Sequence, residues 1–278
     1  MKKAILSLTL MFCLALGMCT NAVAVHSTGL AGTDEIQVVV NGQTIVMDVP
    51  AQVYNGTTYV SYAPVVNALI SGASIQWLGG QAVVTAPGLD LRIPLGTPYL
   101  QVNGCFLAMP QNAKTVDGII LVPIRVLGDA LGADVQWDAK SRRVLVTGGA
   151  KAIPTEATFY NQENLYWLSH IIYAESGNQP LSGKIAVGNV VLNRVNSYQF
   201  PGTVKGVIFQ RNQFTPVSSG SIYREPNAES VLAAKLCLSG VNTVGGAIYF
   251  LNPRMSPNSW VVRNRPCVAT IGAHAFYI

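Results

Sequence analysis

One carboxylic acid in the C-terminal half of this sequence stands at the end of an apolar helical pattern. Four apolar residues recur there at helical spacing: Leu165, Leu168, Ile171 and Ile172. Glu175 continues their stripe, so its side chain is expected on the buried face of the helix. Because a carboxyl group that loses hydration has a raised pKa, Glu175 could hold a proton near neutral pH and act as a general acid and base. A partly exposed glutamate that caps the helix end is the alternative.

A second helix is expected directly after the first one. The first pattern ends at Gly177-Asn178, and Pro180 opens the next helix. Its apolar face consists of Ile185, Gly188, Val191, Leu192 and Val195, and its polar groups are Asn189, Asn193 and Arg194. Small residues at positions 183, 186 and 188 would let the two helices approach closely, which places a cleft at the end that bears Glu175.

Three ordered segments of the C-terminal half form a family pattern. They are LSHIIYAESGNQPLSGKIAVGNVVLNRVNSYQFPGTVKGVIFQRNQF from Leu168, then YFLNP, and the terminal GAHAFY. With these segments the chain resembles the SleB-type family of cell-wall hydrolases, the spore cortex-lytic enzymes, from about Leu165 to the end. Ser176 and Asn178 stand where the family commonly has charged residues, which leaves the substrate preference open.

The resemblance implies a fold and an activity. It implies a lysozyme-like α+β catalytic domain, mainly helical with a small β-hairpin region. It also implies lytic transglycosylase activity on peptidoglycan, with Glu175 of the AES motif as the catalytic residue. Whether the target is spore cortex or vegetative cell wall stays open.

The number of carboxylates agrees with that implication. A glycosidase with two catalytic carboxylates needs them roughly 5 to 9.5 Å apart. From residue 150 onward the chain has no aspartate, and its other glutamates lie beside or in other predicted helices: Glu156, Glu163, Glu225 and Glu229. A single acid suits a transglycosylase, because the C6 hydroxyl of the substrate replaces water as the attacking group. Glu175 would protonate the leaving oxygen and then take the proton of that hydroxyl.

Amide and aromatic side chains are the candidates for holding a saccharide. They are Asn193, Gln213, Tyr249, Asn252, Trp260, His274 and Tyr277, and each could equally serve the core or a loop. Sugar faces stack on aromatic rings, which favours the tyrosines and the tryptophan. Tyr249 and Phe250 alternate in a predicted strand, so one of them faces the core. His274 is interpreted as structural or cleft-lining and not as catalytic.

Three other functions stay open. A zinc amidase would need ligands such as His170, Glu175 and His274. However, side chains five positions apart on a helix point about 140° away from each other, so we expect no metal and no cofactor. A hydrolytic muramidase differs only in that water completes the reaction. In a non-catalytic wall-binding protein Glu175 would have no function. The cost of burying a carboxyl group argues against this interpretation.

The N-terminal half contains an internal duplication. Three segments recur in order: VNG at 40–42 and 102–104, NGTTYV at 55–60 and DGIILV at 117–122, and GASIQW at 72–77 and GADVQW at 132–137. The Asn-Gly and Asp-Gly pairs predict tight turns between strands. Each copy is expected to continue into a short helix and a strand entered at its tryptophan. The two copies would pack on each other as one mixed α/β domain over residues 34–149.

This half resembles the repeat domain named after the N-terminal stalk of copper amine oxidase. The resemblance depends on the NG and DG turns and on the VPIR and LGADVQWD strings. It implies a spacer or wall-binding role, with simple packing as the alternative. It implies no copper, because only His26 and Cys105 are good ligands in this half. Residues 150–160 are predicted to be a linker, and residues 161–278 the catalytic domain.

The first 24 residues have the three parts of a secretory signal peptide. Lys2 and Lys3 precede an apolar stretch that ends at Met18, and Ala22-Val23-Ala24 is a cleavage site. The apolar run is shorter than the roughly 20 residues that cross a bilayer, although a membrane anchor is the alternative. We therefore expect cleavage after Ala24, no stable membrane anchor, and secretion to the cell envelope.

Charge and cysteines narrow the expected partners. Residues 26–149 have a net charge of −2, and residues 150–278 have a net charge of +5, which suits an anionic partner. Export and the scatter of the basic residues argue against nucleic acid. Peptidoglycan glycan strands and anionic wall polymers are the expected partners of a monomer. Three cysteines remain after cleavage of the signal peptide: Cys105, Cys237 and Cys267. Whether Cys237 and Cys267 form a disulfide bond stays open.

Overall fold

The structure is a computed structural model that describes residues 35–278; the predicted signal peptide lies outside the described residues. Glu35–Ile278 form one compact unit. Strands dominate the chain up to residue 147, and helices dominate the remainder, so the architecture is mixed α+β. Within residues 35–278, every helix is too short or too polar to cross a membrane.

Thirteen strands and two helices form the N-terminal part of the described chain. The strands are β1 (Gln37–Val40), β2 (Gln43–Thr44), β3 (Gln52–Tyr54), β4 (Thr57–Ser61), β5 (Ser74–Leu78), β6 (Gln81–Ala86), β7 (Leu89–Pro94), β8 (Tyr99–Val102), β9 (Cys105–Ala108), β10 (Lys114–Val116), β11 (Ile119–Pro123), β12 (Asp134–Asp138) and β13 (Arg143–Thr147). The helices are α1 (Tyr62–Leu69) and α2 (Ile124–Ala130).

The recurring Asn-Gly and Asp-Gly pairs form the predicted tight turns. Asn55 and Gly56 have φ angles of 47° and 75°, and Asp117 and Gly118 have φ angles of 50° and 79°. Positive φ at both central residues is the requirement of the type I′ turn, whose twist matches that of the flanking strands. These turns join β3 to β4 and β10 to β11 as antiparallel hairpins.

Strands from the two recurring segments share the same sheets. The orders are β12-β13-β1-β2, β10-β11-β4-β3 and β5-β6-β7-β8-β9. In the first sheet, β13 of the second segment pairs in parallel with β1 of the first. In the middle sheet, β11 pairs antiparallel with β4. One continuous apolar core therefore lies beneath both segments, and Val60, Val122 and Leu127 are among its buried members.

Seven helices, a 3-10 turn and three strands form the C-terminal part of the described chain. The helices are α3 (Glu156–Phe159), α4 (Gln162–Ser176), α5 (Leu181–Val195), α6 (Val204–Ile208), α7 (Thr215–Ser219), α8 (Ala228–Leu238) and α9 (Trp260–Asn264), and the 3-10 turn is Ser221–Tyr223. The strands β14 (Tyr249–Leu251), β15 (Cys267–Ile271) and β16 (His274–Tyr277) form an antiparallel sheet in the order β14-β16-β15.

Helix α4 ends where the sequence predicts, and its start is fixed by a capping side chain. The side chain of Asn161 accepts a hydrogen bond from the backbone N–H of Asn164, which satisfies one free donor of the first turn. The helix ends at Ser176, immediately before Gly177. Leu168, Ile171 and Ile172 are fully buried, so the predicted apolar stripe is confirmed.

Helices α4, α5 and α8 pack against one another, and a glycine allows the contact. A Cβ atom placed on Gly188 would lie 2.6 Å from Sγ of Cys237 and 2.8 Å from Cδ1 of Ile172. The expected close approach at this position is therefore confirmed. Ala186 belongs instead to a separate cluster with Phe276, so it faces the sheet of β14, β15 and β16.

The segment predicted as a linker is ordered and packed. It contains α3, and the hydroxyl of Tyr160 accepts a hydrogen bond of 2.9 Å from the backbone N–H of Phe106. The Tyr160 hydroxyl also lies 3.2 Å from the hydroxyl of Ser239, at the end of α8. Phe106 from β9 is buried in the core of the helical part. The junction therefore joins the two parts through a packed interface.

The disulfide bond that the sequence left open is absent from the described part of the chain, where Cys105, Cys237 and Cys267 are free. Cys237 is buried beneath α5, whereas Cys267 is exposed on β15. The Cys237 thiol donates to the carbonyl of Ile185 at 3.2 Å. Because Cys237 lies in the helical core, its thiol is separated from Cys267 on the exposed strand.

Candidate active site

Glu175 lies on the last turn of α4 at the wall of an open pocket. The side chain is half-buried, and the pocket has a volume of 480 Å³. The residues that line it come from the end of α4, the 3-10 turn and the start of α8: Tyr173, Ala174, Glu175, Gly177, Asn178, Ser221, Arg224 and Asn227. The carboxyl group therefore faces a space that a ligand can enter, and Glu175 is the only acid among these lining residues.

Burial and one cation set the proton affinity of this carboxyl group. Burial raises the pKa of Glu175 above its ordinary value, because the charged form loses hydration. The nearby Arg194 guanidinium lowers the same pKa by a smaller amount. The net direction is upward, which lets the group hold a proton closer to neutral pH than an exposed glutamate does.

Arg194, near the C-terminal end of α5, is the main site residue that the sequence did not single out as a candidate. Its Nε donates a hydrogen bond of 2.7 Å to the carbonyl of Ile248. Its Nη1 is buried without a hydrogen-bond partner among the residues that the structure describes. The guanidinium lies over the rings of Phe200, Phe214 and Tyr249, at 5.0, 5.3 and 5.9 Å from their centres. Burial lowers the pKa of Arg194, and Tyr249 and Glu175 act in the opposite direction.

The residues that form the opposite wall of the pocket were also not predicted from the sequence. Ser221 and Arg224 belong to the segment between α7 and α8, and Asn227 caps α8 by accepting from the backbone N–H of Ser230 at 2.9 Å. The sequence does identify Asn227 as the start of a helix. It contains no local signal that this start meets the end of α4, because that meeting depends on how α4 and α8 pack.

Two residues that were predicted to bind a saccharide form hydrogen bonds with backbone groups instead. Nδ2 of Asn193 donates to the carbonyls of Gly245 and Ala247, at 2.7 and 2.8 Å. Oδ1 of Asn252 accepts from the backbone N–H of Arg254 at 3.0 Å. These contacts favour the structural alternative that the sequence left open for both asparagines.

Two predicted aromatic candidates are connected to Arg194 by cation–ring contacts. The guanidinium of Arg265 lies 5.4 Å from the ring centre of Tyr249 and 5.1 Å from that of Trp260. Tyr249 also contacts Arg194, which interacts with Glu175. Trp260 is 55% exposed, so its ring is open to a ligand. Cation–ring contacts therefore link the buried Arg194 to Tyr249, and Tyr249 through Arg265 to the exposed Trp260.

The remaining candidates occupy different environments. Tyr277 is buried, and Phe250 rather than Tyr249 packs into the cores of the domain, as the alternation in β14 required. His274 is half-buried beside Phe250, with a ring-centre distance of 5.4 Å, and burial lowers its pKa. Gln213 is exposed in a loop before α7. None of these three side chains lines the pocket of Glu175.

Three of the four other glutamates in this part are engaged by lysines. Glu229 pairs with the buried Lys184, Glu156 pairs with Lys235 at 2.8 Å, and Glu163 lies 3.6 Å from Lys205. Glu225 is exposed and does not line the pocket. The expectation of one acid at the site therefore agrees with the arrangement of the described carboxylates.

The residues proposed for a zinc site do not assemble. His170 is buried and precedes Glu175 on α4 by more than one helical turn. Its Nδ1 lies 2.8 Å from the carbonyl of Tyr166. Its ring packs on the ring of Tyr166, at 4.0 Å between centres. Within residues 35–278, no cluster of three or more His, Cys, Asp or Glu side chains has a metal-binding arrangement.

Comparison with known protein families defines both parts of the chain. Residues 178–277 match the family described as Cell Wall Hydrolase, and residues 39–146 match the family described as Copper amine oxidase N-terminal domain. The chain therefore contains a cell wall hydrolase domain preceded by a copper amine oxidase N-terminal domain. The matched hydrolase range begins three residues after Glu175.

Similar individual proteins are spore cortex-lytic enzymes. The enzyme of Bacillus cereus is 38% identical over 117 residues, which are 42% of this chain and 45% of that protein. The enzyme of Oceanobacillus iheyensis is 36% identical over 130 residues, which are 47% of this chain and 46% of that protein. This chain thus spans less than half the length of these curated relatives. A crystal structure of the catalytic domain of Bacillus cereus SleB is 38% identical and covers 43% of this chain and 92% of that chain, with a TM-score of 0.41.

Proposed function

We propose that this chain is a peptidoglycan-degrading enzyme that cleaves the bond between MurNAc and GlcNAc as a lytic transglycosylase, in cell-wall or spore-cortex lysis. The observation that carries the proposal is one half-buried carboxyl group, Glu175, at an open pocket without another acid in its lining. The cell wall hydrolase domain and the spore cortex-lytic relatives support the substrate class. The single acid in the pocket lining supports the reaction type.

In the proposed reaction Glu175 acts first as acid and then as base. The protonated carboxyl group gives its proton to the glycosidic oxygen, and the bond from that oxygen to C1 of MurNAc breaks. The C6 hydroxyl of the same MurNAc attacks C1, and the Glu175 carboxylate takes the hydroxyl proton. The products are a 1,6-anhydro end and a free GlcNAc hydroxyl, and the enzyme is returned to its protonated state.

Arg194 is proposed to stabilise the carboxylate between these two proton transfers. Its guanidinium lowers the pKa of Glu175, which is the direction that favours loss of the first proton. The opposing effects of burial and of Arg194 keep both protonation states accessible, as a group that donates and then accepts requires. Its Nη1 is buried without a hydrogen-bond partner among the described atoms, which leaves its positive charge to act on the Glu175 carboxylate.

The wider arrangement is part of the same proposal. The saccharide is held by the exposed surface of Tyr249 and Trp260 and by polar groups of the pocket such as Arg224. The catalytic domain is lysozyme-like, and the N-terminal domain derives from two tandem copies of one unit. The protein acts as a monomer, outside the cytoplasmic membrane, after removal of the signal peptide. Anionic wall polymers are a further proposed partner of the basic domain.

The proposal is tested with Glu175→Gln, which keeps the shape and removes the titratable proton. We expect the loss of turbidity of purified sacculi to slow by about 10²- to 10⁴-fold, the usual contribution of general acid–base catalysis. Glu225→Gln is the matched control, because Glu225 is exposed and outside the pocket lining. Unchanged activity of Glu175→Gln, or an equal loss in Glu225→Gln, would contradict the single-acid mechanism.

The products separate the proposal from its closest alternatives. Mass spectrometry of the digest is expected to show 1,6-anhydro ends, each one water lighter than a reducing end. Reducing ends would instead identify a hydrolytic muramidase. Released peptides, together with activity abolished by EDTA and restored by zinc, would identify a zinc amidase. Running the digest on cortex and on vegetative sacculi side by side distinguishes the two targets.

A further inference from the structure

A groove in the N-terminal domain is lined by residues between 36 and 144 and has no role in the proposed reaction. It has a volume of 490 Å³ and is formed where the sheet of β12, β13 and β1 meets the hairpin of β3 and β4 and the start of α2. The second copy of the recurring segment supplies its tryptophan, Trp137, and both copies supply its walls.

The side chain of Trp137 points into this groove. Alternate residues of a strand face the same side, so Trp137 shares the face of Val135. Val135 packs on α2, because a Cβ atom on Gly128 would lie 2.4 Å from its Cγ2. Opposite Trp137 in the register stands Val144, which is buried. Nevertheless Trp137 is 44% exposed, which leaves a large aromatic face open inside a concave site.

The groove is lined by basic side chains, although the surrounding half of the chain is mildly acidic. Arg125 and Arg142 are among the lining residues, and none of the lining residues is Asp or Glu. The surrounding half of the chain, residues 26–149, has a net charge of −2. Arg125 is exposed at the start of α2, so its guanidinium can reach a ligand in the groove. Carboxylate and phosphate groups are the anions that a guanidinium binds with matching bidentate geometry.

Two threonines complete the chemistry. Thr57 and Thr58 of β4 line the wall beside the turn at Gly56, and because successive strand residues face opposite sides, one of their two hydroxyl groups is directed to the groove. An aromatic face, a hydroxyl group and an arginine in one groove fit a ligand that is part sugar and part carboxylate. Tryptophan buries the apolar face of a sugar ring, and the polar groups bind its edge and its charge.

We propose that this groove binds peptidoglycan, with a sugar ring stacked on Trp137 and a carboxylate of the stem peptide held by Arg125. The proposal deepens the proposed function, on which it rests for the presence of the ligand. It assigns to the N-terminal domain a wall-binding site that is separate from the pocket of Glu175. The domain then keeps the enzyme on its insoluble substrate.

The recurring segment offers a matched control for the tryptophan. Trp77 occupies the corresponding position on β5, is 55% exposed, and stands opposite the buried Ala82 in the register. Trp77 does not line the groove of Trp137. Arg143 is a similar control for Arg125, because it is exposed on β13 and does not line the groove.

The test measures co-sedimentation with insoluble sacculi from which teichoic acid has been removed with hydrofluoric acid. All variants carry Glu175→Gln, so that the sacculi are not digested and binding is measured apart from catalysis. We expect Trp137→Ala to weaken binding about tenfold, in the range of an aromatic contact, and Trp77→Ala to weaken it less than about twofold. We expect Arg125→Gln to weaken binding more than Arg143→Gln. Circular dichroism melting of each variant verifies that it is folded.

Each other outcome overturns the proposal. Equal effects of Trp137→Ala and Trp77→Ala would mean that the groove is not the site. Unchanged binding by Trp137→Ala would place wall binding elsewhere in the chain. Binding that is lost when teichoic acid is removed would identify an anionic polymer as the ligand. These results are independent of the digestion products of the wild-type chain, so failure here is distinguishable from failure of the proposed reaction.

Discussion

The ion pair of Lys184 and Glu229 provides a test of how the pocket is held together. Lys184 on α5 is 2% exposed, whereas the Glu229 side chain on the first turn of α8 is 49% exposed. The same turn of α8 follows Asn227, which lines the pocket of Glu175. The pair therefore connects α5 to the end of α8 that forms the wall of the site.

The unequal burial of the two partners predicts unequal costs. Glu229→Gln leaves a buried ammonium group without its counter-charge, and breaking a buried pair in this way costs about 3–5 kcal/mol. The amide oxygen of glutamine still accepts a hydrogen bond, so we expect about 2–3 kcal/mol of lost stability. Lys184→Met removes the buried charge, and the half-exposed Glu229 regains water. We expect this second change to cost less than about 1 kcal/mol.

Calorimetry of the mature chain measures both costs. For a unit of this size, about 1 kcal/mol corresponds to roughly 2–4 °C in Tm, so Glu229→Gln should lower the Tm by roughly 5–10 °C. The double variant should melt close to Lys184→Met, because the unpaired cation is then absent. If Lys184→Met lowered the Tm as much as Glu229→Gln, the premise that the buried cation dominates the cost would be wrong.

Three further predictions concern the site and its helices. Burial raises the folded pKa of Glu175, so the stabilising contribution of this group is present at low pH and is lost as pH rises through that pKa. Glu175→Gln should therefore have a higher Tm than the wild type at pH 8. Calorimetry should show that this difference in Tm closes toward pH 4. Activity should decline as pH rises through the pKa of Glu175, and Arg194→Gln should move that decline to higher pH, since Arg194 lowers the pKa; an unmoved rate profile would contradict this. Gly188→Ala should cost about 1–3 kcal/mol in urea unfolding, because its Cβ would lie 2.6 Å from the sulfur of Cys237, whereas Gly183→Ala, with a nearest contact of 3.3 Å, should cost less.

Local patterns predicted the features that depend on local physics. The Asn-Gly and Asp-Gly turns follow from their tolerance of positive φ, and the start of α4 follows from the capping side chain of Asn161. The burial of Glu175 beside Ile171 and Ile172 follows from helical periodicity alone. Each of these statements needs only residues within a few positions of one another.

Features that depend on packing between distant segments were not predictable. The parallel pairing of β13 with β1 joins residues about a hundred positions apart, and the sequence expected two copies that only pack on each other. Arg194 was identified as a polar residue of α5, but its approach to Glu175 depends on how α5 crosses α4. Asn193 was a candidate ligand because amides bind sugars, whereas its nearest carbonyls belong to a loop more than fifty positions further on. The partners of these polar groups are determined by tertiary structure, which the helical periodicity of the sequence does not encode.

The packed junction determines how a wall-binding groove and a catalytic pocket can work together. Phe106 of the N-terminal domain is buried in the helical core, and the Tyr160 hydroxyl accepts a hydrogen bond of 2.9 Å from the Phe106 backbone N–H. The same hydroxyl lies 3.2 Å from the hydroxyl of Ser239, which directly follows α8. Lys235, on the same helix, pairs with Glu156 of the junction at 2.8 Å. A flexible linker would let the two sites act at variable separation, with an effective concentration set by its length. A junction packed on α8 instead keeps the groove at a constant position relative to the helix whose capping residue, Asn227, lines the pocket. A glycan strand bound by the proposed groove is then presented to Glu175 in a restricted set of registers, which favours cutting at a defined distance from the point of attachment.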